Sequence, residues 1–103
     1  MTVPTLLVGG HAVVQNVAYT GTAAASTAIA AHETLETITV RLSSDQICYY
    51  TTDGTTATTA NGALLPASVI EYIRVRNGTT ISVIRLSSSG TLNIVPMSDI
   101  TTP

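Results

Sequence analysis

The sequence predicts an all-β fold, a small antiparallel β-sandwich or barrel with an extended N-terminal arm. Two observations carry this expectation. Short runs of β-branched and aliphatic residues recur about every ten positions, separated by the turn pairs Asp53-Gly54, Asn61-Gly62, Asn77-Gly78 and Ser89-Gly90. Nineteen of the 103 residues are Thr and nine are Ser, whereas Lys, Phe and Trp are absent, a composition that fits pleated, half-buried strands. The length is that of one domain, and the pattern divides it into an arm over residues 1–10 and a single β-domain over 11–103.

Taken in order, the arm reads as irregular, because Pro4 removes a backbone donor and Gly9-Gly10 allows a sharp turn before His11. His11 to Thr20 carries Val13, Val14, Val17 and Ala18 and reads as a first strand or strand pair. The Ala-rich stretch around 22–33 has helix-forming residues. Its side chains are too small to define a face, so an extended or loop conformation is preferred there and a helix stays open. From Thr34 the pattern sharpens to a period of two: Ile38, Val40 and Leu42 alternate with Thr37, Thr39 and Arg41. Ser43-Ser44-Asp45 reads as a turn into a strand over Gln46 to Thr51, with Ile47 and Tyr49 on one face and Cys48 and Tyr50 on the other, and the two strands as a hairpin. The Thr/Ala-rich stretch from Thr55 to Pro66 reads as a projecting loop, with Pro66 denying a ladder bond. Val69 to Val75, Thr80 to Leu86 and Thr91 to Val95 read as an antiparallel meander, with Asn77-Gly78 as a type I′ turn. Their alternation nominates Ile73, Val75, Ile81, Val83, Leu92 and Ile94 for the core.

Charge narrows the function classes. Four arginines stand against six acids, giving a formal net charge of −2. There is thus no basic run to drive nucleic-acid binding or attraction to an anionic membrane. Charged residues make up 10% of the chain, against about 25% in an average soluble domain. A surface so poor in charge lacks mutual repulsion and favours association. The expectation is a homo-oligomer, a dimer or a trimer. Cys48 is the sole cysteine, so no internal disulfide forms and a small buried hydrophobe is the expected role. The first ten residues have neither a basic n-region nor a long apolar run, so neither a signal peptide nor a membrane span is expected, and a chain made and used in a cytoplasm is.

Reactive constellations are absent from the pattern. His11, His32 and Cys48, or His32 with Glu33 and Glu36, lack zinc-type spacing. Ser is abundant but never sits in Gly-x-Ser-x-Gly, and Glu33 with Glu36 is the one close carboxylate pair. Asn77-Gly78-Thr79 matches a glycosylation acceptor, yet turn chemistry accounts for the same residues. No catalytic residue, metal ligand or cofactor is assigned, and the chain is not expected to be an enzyme.

The segments Thr51–Thr58, Leu65-Pro66, Glu71–Val75, Ile81–Arg85 and Ser89–Ile94 resemble small virion proteins of tailed bacteriophages and prophages, over roughly the C-terminal half of the chain. The resemblance implies a compact β-domain carried on the head as a minor capsid, decoration or cement protein. It implies binding between or on top of major capsid protein subunits or other virion subunits, through many weak contacts, with no direct contact to nucleic acid or membrane. Candidate subunit-contact residues are Leu6, Leu7 and Val8 of the arm, Tyr49 and Tyr50, and Leu64, Leu65 and Pro66. A head-to-tail connector or tail component, or a β-module that binds a host-surface glycan through Thr and Tyr, is the alternative.

Overall fold

The computed structural model describes residues 2–6, 14–29 and 37–101, with side chains placed for 14–29 and 37–97. Among the described residues nine strands form: β1 (Thr2–Leu6), β2 (Gln15–Tyr19), β3 (Ala24–Ala25), β4 (Thr37–Ser44), β5 (Cys48–Thr51), β6 (Ala63–Leu65), β7 (Glu71–Arg76), β8 (Ser82–Arg85) and β9 (Gly90–Thr101). Among the described residues there is no helix. One antiparallel sheet has the order β1-β9-β4-β7, with β2 also paired to β9, and the other has the order β3-β8-β5-β6. We call them sheets A and B. The fold is therefore the expected all-β sandwich.

The organising strand is β9. Its 12 residues, at about 3.3 Å each, span about 40 Å and account for most of the 46 Å long axis. β2 pairs with its first half, from Gln15↔Ile94 to Tyr19↔Gly90, and β1 with its second half, from Leu6↔Met97 to Thr2↔Thr101. β4 pairs along the other edge from Ser44↔Leu92 to Thr39↔Met97. The fully buried Pro96 lies opposite the break between β1 and β2, and a residue without an N–H is tolerated where a ladder is interrupted. The last strand thus runs through Pro96 to Thr101 and does not stop at Val95. Thr2–Leu6 is extended as expected but regular, a strand on its own chain's β9.

The connections differ most from expectation. β4 and β5 are not a hairpin: β4 pairs with β7 and β9, β5 with β6 and β8. β7, β8 and β9 are not a meander, because β7 and β9 belong to sheet A and β8 to sheet B. Each intervening turn carries the chain across the sandwich. Asn77-Gly78 accordingly is not type I′. Gly78 has φ +93° while Asn77 is not left-handed, and Thr79 N donates to Arg76 O at 3.1 Å, the pattern of a type II turn. Ser44 ends a strand and is not a turn residue, and β7 begins at Glu71, leaving Val69 and Ile70 exposed in the connection.

The alternation of β4 survives intact. Ile38, Val40 and Leu42 are at most 1% exposed and meet Val17, Tyr19, Leu92, Ile94 and Val75 from sheet A, Cys48, Tyr50, Leu65 and Val83 from sheet B, and Ile81 just before β8 in one cluster. All six nominated core residues join it, Ile73 as a partly buried flank. Burying each such side chain is worth about 1.5–3 kcal/mol. β2 buries Val17 and Tyr19, while Val14 and Ala18 face outward. Within the Ala-rich stretch, residues 24–25 are strand and Ile29 bridges Thr79, so its described part is extended; residues 30–33 lie outside the described set.

Buried hydroxyls are paired, as a dry interior requires. Ser26 Oγ accepts from Ile81 N at 2.9 Å, Ser82 Oγ accepts from Ala57 N at 2.9 Å, and Thr51 Oγ1 donates to Thr55 O at 2.6 Å. Tyr19 Oη lies 2.5 Å from Ser44 Oγ and donates to Gln46 O at 2.9 Å. These bonds tie β2 to the β4–β5 crossing.

Candidate contact face

β5 and β8 carry apolar side chains on both faces, so one set fills the core and the other covers the outside of sheet B. Inward are Cys48, Tyr50 and Val83, each at most 6% exposed. Outward, Tyr49 pairs with Leu64 of β6 on one side and Ile84 of β8 on the other. One step further along the same registers Ile47 meets Leu86, whose N–H donates to Ile47 O at 3.2 Å. Pro66 follows Leu65 just past the end of β6, as Ile47 precedes β5 and Leu86 follows β8. The result is an array of two rows and three strands: Leu64, Tyr49 and Ile84, then Pro66, Ile47 and Leu86.

Leu64 is 50% exposed, Leu86 46% and Ile47 39%; Pro66 is exposed and Tyr49 and Ile84 are half-buried. None carries a charge at neutral pH. Together they show solvent a few hundred Å² of apolar surface, the scale of the largest patch on an ordinary monomer.

Part of the rest of this face is covered. The connection between β5 and β6, expected to project, folds down instead. Ala57 is 1% exposed and bonded to Ser82 on the outer side of β8. Asn61 Oδ1 accepts from Thr58 N and Oγ1 at 2.7 and 3.0 Å, and Asn61 Nδ2 donates to Thr56 O at 3.1 Å. Asp53 accepts from Thr55 Oγ1 and N, bonds that hold its carboxyl below the usual range. Gly62 brings the loop back along β5, where an added Cβ would lie 2.7 Å from Tyr49 Cβ. The loop therefore stops at the edge of the apolar array.

Of the residues nominated from sequence, Tyr49, Leu64 and Pro66 come together on this face. Tyr50 and Leu65 do not: they are 6% and 0% exposed and belong to the core. Tyr50 Oη donates to Glu71 Oε1 at 2.5 Å, bridging the sheets, and burial with the neighbouring carboxylate pushes its phenol strongly up. Leu6 closes β1 without a described side chain, and Leu7 and Val8 lie outside the described residues. Ile47, Ile84 and Leu86 were missed. The signal was available, since a strand that is apolar on both parities has two faces to cover.

Much of the polar surface elsewhere holds internal partners, while Val69, Ile70 and Tyr72 are exposed. A groove of about 420 Å³ between Tyr50, Asp53, Asn61 and Arg74 is lined by groups that already hold partners. On the outer face of sheet A, Arg74 donates to Thr37 and Thr39, and Arg41 Nη2 lies 3.5 Å from Asn93 Oδ1. Beside them Tyr72 is 57% exposed. Among the described residues no three His, Cys, Asp or Glu side chains converge as a metal site. His11, His32, Glu33 and Glu36 lie outside them. Cys48 is fully buried and burial pushes its thiol up, which disfavours the nucleophilic thiolate. Comparison of the chain with protein-family models, curated proteins and solved structures finds no match.

Proposed function

We propose that this protein is a structural virion subunit, a minor capsid or decoration protein that binds a phage shell and reinforces it through many weak contacts. The observation that carries the reading is the uncharged apolar array on the outer face of sheet B. It is a surface suited to packing against protein, carried by three neighbouring strands and their ends, whose other side is anchored in the core. The sequence resemblance to small virion proteins of tailed phages supplies the setting, and the low charge of the chain agrees with a subunit that works in an assembly. Repetition over the shell multiplies the effect of each small interface.

Co-sedimentation with shells lacking the protein tests this. Saturable binding at many copies per shell, little affected by salt, is expected for apolar contacts. Absence of binding would overturn the decoration role.

A further inference from the structure

We propose that Asn61-Gly62 is a latent deamidation site, held shut in the folded chain by Thr58. Asparagine before glycine is prone to this reaction because glycine has no Cβ to keep its nitrogen from the preceding side chain. The Gly62 nitrogen gives its proton to solvent base and attacks Asn61 Cγ. The N–Cγ bond forms, the Cγ–Nδ2 bond breaks, and the amide nitrogen leaves as ammonia. Water then opens the cyclic imide at either carbonyl, leaving aspartate or isoaspartate at position 61.

The fold occupies both reacting groups. The nucleophile is engaged, since Gly62 N donates to Thr58 O at 3.0 Å. The electrophile is turned back along the chain: Asn61 Oδ1 accepts from Thr58 N at 2.7 Å and from Thr58 Oγ1 at 3.0 Å, and Nδ2 donates to Thr56 O at 3.1 Å. Thr58 Oγ1 in turn accepts from Ala60 N at 3.2 Å and Asn61 N at 3.1 Å, so residues 58 and 61 hold each other by the reciprocal logic of a capping box. Only an amide completes the set, because aspartate has no donor for Thr56 O. The restraint is local. Residues 58–61 are all exposed, so this turn opens without unfolding the sandwich. Asn77-Gly78 is held differently: Gly78 N donates at 2.7 Å to the carbonyl of Ile29, a fully buried residue.

Conversion matters because of where it falls. Gly62 lies against Tyr49 at the edge of the apolar array. A carboxylate at position 61 sets a charge beside an uncharged surface, and an isoaspartyl link adds a methylene to the backbone just before Gly62. The consequence for shell binding rests on the function proposed for that array; the reaction itself does not.

Incubation of the intact protein in mildly alkaline buffer, with and without urea, followed by peptide mass spectrometry, measures the conversion. Cleavage after arginine puts Asn61 in peptide 42–74 and Asn77 in peptide 77–85. Conversion at Asn61 is expected to be at least about 10-fold slower in the folded chain than in urea. Thr58→Ala, which removes three hydrogen bonds made by Oγ1, is expected to raise the folded rate at Asn61 about 5-fold or more, with Asn77 and the far-UV circular dichroism unchanged. Thr58→Ser keeps the hydroxyl and is expected to keep the slow rate. A folded rate equal to that in urea, a Thr58→Ala chain that converts no faster than the intact protein, or equal acceleration at Asn77 would each overturn the proposal. These rates involve no shell, so their failure leaves the virion reading standing, and failure to bind shells leaves the site standing.

Discussion

Replacing Gly90 with alanine is expected to destabilise the domain through contact alone. Gly90 opens β9 opposite Tyr19, and its φ is not in the left-handed region, so alanine meets no backbone penalty. The added Cβ, however, would lie 2.5 Å from Asp45 Oδ1, 2.6 Å from Tyr19 Oη and 3.0 Å from Tyr19 Cζ. These atoms have little freedom. Tyr19 is 1% exposed and held by Ser44 and Gln46, and Asp45 Oδ1 accepts from Thr91 N at 2.8 Å. Overpacking costs about 1–3 kcal/mol, and a stretched hydrogen bond adds about 1 kcal/mol. The lower entropy of alanine in the unfolded chain offsets about 0.5–1 kcal/mol. The net loss is about 1–3.5 kcal/mol, a large share of the roughly 5–15 kcal/mol that holds a typical domain. Urea unfolding followed by circular dichroism measures it. In a Tyr19→Phe background the nearest hydroxyl is gone, so Gly90→Ala should cost about 1 kcal/mol less, read as a double-mutant coupling. A Gly90→Ala protein within about 0.5 kcal/mol of the original, or a coupling of zero, would refute the reasoning.

The adjacent leucines of β6 should behave oppositely. Leu65→Ala, at 0% exposure, is expected to cost about 2–5 kcal/mol, whereas Leu64→Ala at 50% exposure should change the stability of the single chain by about 0.5 kcal/mol or less; equal losses in urea unfolding would contradict the inward and outward assignment. Gly62→Ala should destabilise by about 1–3 kcal/mol, since its Cβ would press on Tyr49 and on Thr58 O, 3.0 Å away, and an unchanged urea midpoint would mean that the loop is free to lift. Stability should fall on the alkaline side. Burial pushes the Cys48 thiol and the Tyr19 and Tyr50 phenols up, so the folded chain keeps protons that the unfolded chain releases from about pH 8.5 for Cys and about pH 10 for Tyr. The contribution is complete below those values and is lost above them by about 1.4 kcal/mol per pH unit for each group; Tyr50→Phe should remove one such increment above about pH 10, and an identical slope would sink the assignment. A thiol reagent should label Cys48 only as fast as the domain opens, so labelling of the native protein at the rate of a free thiol would show the side chain to be accessible.

Local chemistry was legible wherever one face of a strand decided it. In β4 the alternation of Ile38, Val40 and Leu42 identified both strand and core, and the same held for Val83, Leu92 and Ile94. The contact face was half legible. Tyr49, Leu64 and Pro66 stood out as apolar or aromatic residues beside turns, but Leu65 and Tyr50 have the same chemistry, and only the pleat and register of β5 and β6 separate them from their neighbours. Ile84 and Leu86 were hidden for the converse reason, because they lie in and just past a strand whose other parity supplies the core.

Pairing was not legible at all. A short turn between two strands serves equally to close a hairpin or to cross a sandwich, and the choice depends on which apolar face finds a partner. The connection after Ser44 and the Asn77-Gly78 turn both lead across, because β4 and β7 complete a sheet around β9 while β5 and β8 complete the other. By itself, the sequence determined that this chain is all β, low in charge and built around alternating aliphatic strands, since those properties follow from side-chain period and composition. Only the tertiary structure decided which strands are neighbours, that Tyr19 and Gly90 share one crowded site, and that six apolar residues from three strands form one exposed face. Those facts depend on contacts between residues distant along the chain, whose energies no local pattern records.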